Sequence, residues 1–207
     1  MQLTRKRIIA AAMELIERDG AEAVSMRRLA AELGCGVMSL YNHVPSKSAL
    51  LDGVADAVMS GIELAVAPGA RWQQQLTAQA RAFRHVAMAH PRCAMIVVSR
   101  PPSSASMVRP VETALTTLRE AGFSAQDAVR IVRAFVSYIV GSLLRDVRIV
   151  PGLDEGDGEL RRPVLRAAEF PQLTALAAEA GGGDPEADFE FGLELLMQAV
   201  AGLQPAL

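Results

Sequence analysis

Two cysteines, one tryptophan and 4% aromatic residues are little for a chain of 207 residues, and each scarcity closes off a class of protein. Cys35 and Cys93 stand alone, without CxxC spacing or a neighbouring Cys/His cluster. That excludes a disulfide framework and a structural zinc site, and predicts two small buried hydrophobes. Thr, Ile and Tyr are sparse while Ala, Leu, Val and Met abound, a balance that favours helices over sheets; the fold class expected is all-α. No apolar run reaches the length of a membrane span, and the N-terminus carries helical periodicity in place of a signal peptide's apolar block. The protein is therefore expected to be cytoplasmic, with no membrane partner. No GxSxG elbow, Walker loop, HExxH pair or carboxylate dyad is present, so no catalytic residue, cofactor or metal is expected, and the chain reads as no enzyme. Gly34-x-Gly36-x-x-Ser39 lacks the preceding strand and third glycine of a dinucleotide loop.

What is present is a helical chain with an uneven charge. With 51% hydrophobic and 21% charged residues it has enough apolar material for a real core. The net charge is −2, yet the first fifty residues carry seven Lys/Arg against five acids, which leaves the basic end at the N-terminus. Thr4 caps a first helix whose apolar residues Ile8, Ala12, Leu15 and Ile16 share one face, ending at Asp19-Gly20. Ser25 caps a short second helix with Met26, Leu29, Ala30 and Leu33. Gly34-Cys35-Gly36 makes a turn, and a very short third helix follows over about 37–42. Pro45-Ser46 breaks it, and Ser46 opens a long helix through Leu50, Leu51, Val54, Val58 and Ile62 to about residue 67. Beyond Pro68-Gly69 the pattern predicts a helix over about 71–90. Another follows the break at Arg100-Pro101-Pro102-Ser103-Ser104, with Pro110 in its first turn, and stops at Gly122. Ser124 to Asp127 reads as a capping box for a helix over about 124–147 that is apolar on nearly all sides. An acidic, glycine-rich loop at about 151–160, a lesser helix through Leu173 and Leu176 ended by Gly181-Gly182-Gly183, and a last helix over about 185–203 complete the chain.

The stretch "LAAELGCGVMSLYNHVPSKSALL" from Leu29 to Leu51 switches helix phase twice. Two short helices joined by a glycine-containing turn describe a helix-turn-helix, whose second helix enters the DNA major groove. The segment 37–42 is too short to hold itself by propensity and has Leu40 as its inward anchor. Its other residues are left to face a partner. Ser39, Tyr41, Asn42 and His43 suit base edges or phosphates, and Arg27, Arg28 and Lys47 flank them for backbone neutralisation. Helical hairpins with glycine turns also occur in purely structural bundles, and His43 alone reads as a surface histidine; the constellation favours DNA. His85 and His90, five apart, read as packing or solvent-facing residues, Met88 and Met95 as possible pocket liners.

"MRRLAAELGCGVMSLYNHVPSKSALL" resembles the DNA-binding domain of the tetracycline-repressor (TetR) family. "RPP" near residue 100, "EAGFSAQDAV" at 120–129 and "FGLELL" at 191–196 are similar to the ligand-binding domain of the tetracycline-repressor subgroup. The resemblance implies an N-terminal three-helix helix-turn-helix domain at 1–46, a connecting helix at 47–67, and a helical ligand-binding and dimerisation domain at 68–207. It assigns DNA contacts to Arg27, Val37, Ser39, Tyr41, Asn42, His43 and Lys47, with Met26, Arg28 and Met38 beside them. It places ligand contacts at Gln79, Phe83 and Ser99, with Arg100 beginning the adjacent loop, and so a polar-edged pocket. Ser137 and Tyr138 are secondary pocket candidates; satisfied core hydroxyls are the plainer reading. The positions the family uses around magnesium hold Glu63, Ile96 or Val97, and Arg145, so the inducer expected is a small molecule other than magnesium-tetracycline. The expected partners are double-stranded operator DNA, that small-molecule effector and a second copy of the chain, paired through the apolar helices at about 124–147 and 186–203 as a homodimeric repressor. An activator or a ligand-independent regulator would share the same N-terminal pattern.

Overall fold

A computed structural model of the chain describes residues 2–63, 69–146, 171 and 184–203. Among these every regular element is helical. The first four helices are α1 (Arg5–Asp19), α2 (Met26–Glu32), α3 (Val37–Tyr41) and α4 (Lys47–Ser60). Their starts follow from local chemistry. The side chains of Thr4, Ser25 and Ser46 accept the N–H groups of Arg7, Arg28 and Ala49, satisfying donors that a helix start leaves without partners. The end of α2 is equally local. The N–H of Cys35 reaches the Ala30 carbonyl (3.0 Å) and that of Gly34 the Ala31 carbonyl (3.1 Å), with Gly34 at φ +63°, a conformation that favours glycine.

The remaining helices are α5 (Trp72–Ala89), α6 (Pro91–Ser99), α7 (Ala105–Glu120), α8 (Ala125–Asp146) and α9 (Pro185–Ala201). Three expectations need correction. The helix from Ser46 does not run to residue 67: α4 stops at Ser60, where the Gly61 N–H turns back onto the Val58 carbonyl at 3.1 Å. Its 14 residues reach about 21 Å rather than about 30 Å. Pro110 lies inside α7 rather than in its first turn, forgoing the bond its N–H would have made to the Ser106 carbonyl. A separate helix, α6, starts at Pro91, whose ring suits the first helical position; the periodicity had not revealed it. Half of the capping box expected at Ser124 is formed: its hydroxyl accepts the Asp127 N–H at 3.1 Å and donates to the Asp127 carboxylate at 2.6 Å. The acidic loop, the lesser helix and the triple glycine lie outside the described residues, as does Pro68.

Among the described residues two large apolar cores result, with a small third cluster at Ala87, Ala94 and Leu143. Ile8, Leu15, Ile16, Leu29, Leu40, Leu50 and Val54 fill the first, which Cys93 and Ile96 of α6 and Met107 of α7 also enter. Leu76, Leu118, Phe123, Phe135, Phe189 and Leu193 fill the second, between α5, α7, α8 and α9. Thus α6 is built into the core of the N-terminal helices, although it belongs to the later part of the chain. Where α8 and α9 cross, Gly192 is required: a Cβ there would collide with the Tyr138 ring.

Candidate nucleic-acid interface and sensor cavity

The five residues of α3 are held by Leu40, at 0% exposure, and by Val44 just beyond it. Val37 packs partly against the same core, and the rest of the helix is exposed. Met38, Ser39, Tyr41, Asn42 and His43 are exposed and Val37 is half-buried, so the structure brings the predicted reading residues onto one surface. Arg27 and Lys47 are exposed beside them. Arg28 is exposed too, and bonds to Asp19 and to the Ala23 carbonyl, bracing α2 against the end of α1. Met26 is buried in the core.

A cavity of about 370 Å³ lies between α4, α5, α6, α7 and α8. Gln79 and Phe83 of α5 line it, four residues apart and so on one helix face, and Arg100 lies in its wall just past α6. Those three expected contacts come together. Ser99, Ser137 and Tyr138 do not join them: the Ser99 hydroxyl turns back to the Ile96 carbonyl, Ser137 is exposed, and the Tyr138 hydroxyl donates to the Phe189 carbonyl at 2.6 Å. Nor is the cavity polar-edged. Among the described residues that line it, Gln79 and Arg100 are the only polar ones, the others being such as Met107, Val111, Ile131, Phe135 and Ile139. Met59 and Met107, not Met88 or Met95, contribute the thioethers, because Met88 is on the exposed side of α5. Glu63 and Arg145 are exposed and Ile96 is buried in a core. Among the described residues no group of three or more His, Cys, Asp or Glu is placed to hold a metal ion.

The contacts that connect cavity and reader are ones the sequence did not disclose. At the start of α6 the Glu17 carboxylate, from α1, accepts the N–H groups of Cys93 (2.8 Å) and Arg92 (3.3 Å), while Arg92 donates to the Arg18 carbonyl (2.9 Å). A carboxylate there satisfies free N–H groups and faces the positive end of the helix dipole. Just past the other end of α6, Arg100 grips α4: its Nε and Nη2 lie 2.9 and 2.7 Å from Asp52 Oδ1, and Nη2 lies 2.7 Å from Ser48 Oγ. Ser48 and Asp52 are one helical turn apart on one face of α4. A turn further, Asp56 accepts from the Ser106 hydroxyl of α7; Ser106, then Ser104, holds its carboxyl below the ordinary range. Burial, then Glu17, pushes the Cys93 thiol far above its usual value, so it stays protonated. The wall helix of the cavity is therefore fastened to α1 near one end and to α4 near the other.

Further out, Arg84 is 3% exposed and knots three helices: Nη1 to Asp146 of α8 (2.8 Å), Nε to Glu186 of α9 (2.9 Å), and Nη2 to the Pro185 carbonyl (2.9 Å). Its guanidinium also lies 4.4 Å over the Phe189 ring. Burial opposes its charge, and Glu186 and Asp146 outweigh that, leaving it more firmly protonated than usual. Away from the cavity, Val129 of α8 and Phe191 and Leu195 of α9 are exposed, Phe191 at 67%. Among the described residues no helix is long and apolar enough to cross a membrane.

Comparison with known proteins agrees with both parts of this geometry. Residues 8–54 match the family of bacterial regulatory proteins called the tetR family, and residues 66–204 match the tetracyclin repressor-like C-terminal domain. The chain is 33% identical to an HTH-type transcriptional regulator of Saccharopolyspora erythraea, over 98% of this chain and 87% of that one. It is also 33% identical to the class A tetracycline repressor protein of Escherichia coli, over 94% and 88%. The structure superposes on the TetR family protein ActR of Streptomyces coelicolor, solved in complex with actinorhodin, with a TM-score of 0.78 and 30% identity over 98% of this chain and 100% of that one. The helix-turn-helix at the N-terminus, the helical sensor domain behind it and these likenesses together place the chain in the TetR family of transcriptional regulators.

Proposed function

We propose that the protein is a cytoplasmic homodimeric repressor that holds a near-palindromic operator and releases it when a small molecule other than magnesium-tetracycline fills the cavity. The observation that carries this reading is the attachment of α6, which lines the cavity through Val97 and Val98, to α1 through Glu17 and to α4 through Arg100. A molecule that displaces α6 must then displace the reader. In this reading residues 1–46 bind DNA, 47–67 connect and 68–207 sense and dimerise.

Arg27 and Lys47 neutralise phosphates, while Met38, Ser39, Tyr41, Asn42 and His43 meet base edges and backbone, with Val37 against a thymine methyl. The exposed apolar residues of α8 and α9 pair with their symmetry mates as a four-helix interface, which sets two reading helices about 34–36 Å apart, or a multiple of that. Gln79, Phe83 and Arg100 meet the effector. Lowering operator affinity a hundredfold requires the effector to prefer the released state by about 2.7 kcal/mol, within reach of a few contacts in a buried site.

The test is fluorescence anisotropy of the full chain with its upstream intergenic DNA at two salt concentrations, against a scrambled competitor. Saturable binding that survives the competitor, weakens steeply with salt and is lost in Tyr41→Ala with His43→Ala is the expected result, with sedimentation showing two chains per duplex. Equal competition by the scrambled DNA refutes specific reading. Release by micromolar magnesium-tetracycline refutes the inducer assignment.

A further inference from the structure

Resting on the reading of the N-terminal domain as the operator reader, we infer that Met38 sets operator specificity by reading the C5 methyl group of a thymine. Met38 is 74% exposed, the most exposed of the large hydrophobic side chains described, and it is absent from the residues packed against either large core. It occupies the second position of α3. With Tyr41 and Asn42, three and four residues on and both exposed, it makes one continuous outward face, while Val37 and Leu40 turn to the core. In a helix-turn-helix the early residues of the second helix are the ones that reach base edges.

The chemistry around Met38 narrows what it meets. From Leu33 to Ser46 the chain holds no Lys, Arg, Asp or Glu. So α3 and the turns on both sides of it have neither the cation that bonds guanine O6 and N7 nor the carboxylate that accepts from cytosine N4. A cationic guanine contact has to come from outside α3, from Arg27 or Lys47, which are exposed beside it. Asn42 has the donor and acceptor that pair with adenine, while Ser39, Tyr41 and His43 offer no bidentate pairing. An apolar side chain has a narrower choice still. The thymine methyl is the one apolar group that a base pair presents in the major groove; against any other edge Met38 would cover a donor or acceptor that water had satisfied. The flexible thioether chain can seat itself on that methyl, removing from water an apolar surface that the free protein leaves exposed. Val37, half-buried against its own core, has less surface to give.

The test starts from duplexes selected out of random sequence by the full-length protein. In the tightest of them each thymine is replaced, one at a time, by deoxyuridine, which removes the methyl and nothing else, and binding is followed by fluorescence anisotropy. One thymine of the half-site should lose about fourfold in affinity with its methyl, the worth of one buried methyl group. At that position Met38→Ala should bind the thymine and deoxyuridine duplexes equally, while Met38→Leu and Val37→Ala should keep the gap. Because Met38 is at the surface, thermal unfolding of Met38→Ala should match the wild type; because it touches no phosphate, the salt dependence of binding should keep its slope. The wild-type scan needs no variant: if no thymine in the site is sensitive to its methyl, the inference is overturned. It is equally overturned if every methyl-sensitive position stays sensitive in Met38→Ala. A salt slope that falls in that variant also overturns it, by making Met38 a support for the phosphate contacts. If a preferred site emerges without a methyl read by Met38, the operator reader stands and only this assignment fails. If selection returns no preferred sequence, the operator-reader reading fails and the inference with it.

Discussion

Arg84 and Arg100 both tie separate helices together, and the contrast between them separates what stays from what moves. Arg84 is buried, meets two carboxylates, a carbonyl and an aromatic ring, and joins α5, α8 and α9. Arg100 keeps 24% side-chain exposure, meets a third-exposed Asp52, and joins the end of the cavity wall to α4. The first contact cannot open without stranding charge in a dry interior; the second can trade its partners for water at small cost. A sensor that must shift its reader without dissolving its own frame needs both kinds, and here Arg100 lies in the cavity wall while Arg84 is not among the residues that line it.

The contrast is most sharply broken at the buried end. Arg84→Met leaves Asp146, at 3% side-chain exposure, with the half-exposed Arg145 as its one remaining described cation, at 2.9 Å, and should cost about 3 kcal/mol in urea denaturation. Adding Asp146→Leu should restore much of that loss, because an apolar pair has no charge to desolvate; no recovery would mean that the knot does more than neutralise a buried carboxylate. Of like size, Leu40→Ala removes the only fully buried side chain of α3 and should cost about 3 kcal/mol together with operator binding. The exposed pair Tyr41→Ala with His43→Ala should instead lose operator binding with stability changed by less than about 1 kcal/mol. At the movable joint, Asp52→Asn should cost only about 1 kcal/mol by thermal unfolding. Its signature should be functional: effector affinity retained, with the ratio of operator affinities with and without effector reduced about tenfold. An unchanged ratio would remove Arg100 from the transmission path.

The smallest effect is one of pH. The Asp56 carboxyl is held below its ordinary range when folded, chiefly by the Ser106 hydroxyl. That contact therefore adds stability above about pH 4, the range of an unperturbed carboxylate, and loses it as pH falls through the depressed folded value. The stability gap between the wild type and Asp56→Asn, followed from neutral pH into acid, should narrow at the acid end. A gap that widens there would reverse the sign assigned to this contact.

Legibility in the sequence tracked the range of the interactions. Thr4, Ser25 and Ser46 bond backbone three residues ahead, and Gly34 sets its turn within four residues, so the reading domain could be laid out from local chemistry. Leu40 was legible as the anchor of α3 because a five-residue helix is too short to hold itself by propensity and must attach through an inward side chain. Arg28 shows where local reading stops: its neighbours advertise a phosphate contact and give no sign of its bond to Asp19, nine residues back at the end of α1. Arg100 and Asp52 are 48 residues apart, Cys93 and Glu17 76. Nothing in the spacing announces such pairs. The polar edge expected of the cavity failed for a related reason: Ser99 and Tyr138 spend their hydroxyls on carbonyls within the protein.

By itself the sequence determined an all-helical chain, a helix-turn-helix with an outward reading face, and surplus apolar surface on two helices, because periodicity, capping and turn chemistry act within a few residues. Only the tertiary structure decided that α6 belongs to the core of the reader while walling the cavity, and that Arg100 is occupied. Those are consequences of which distant side chains arrive at the same place, and packing alone sets that.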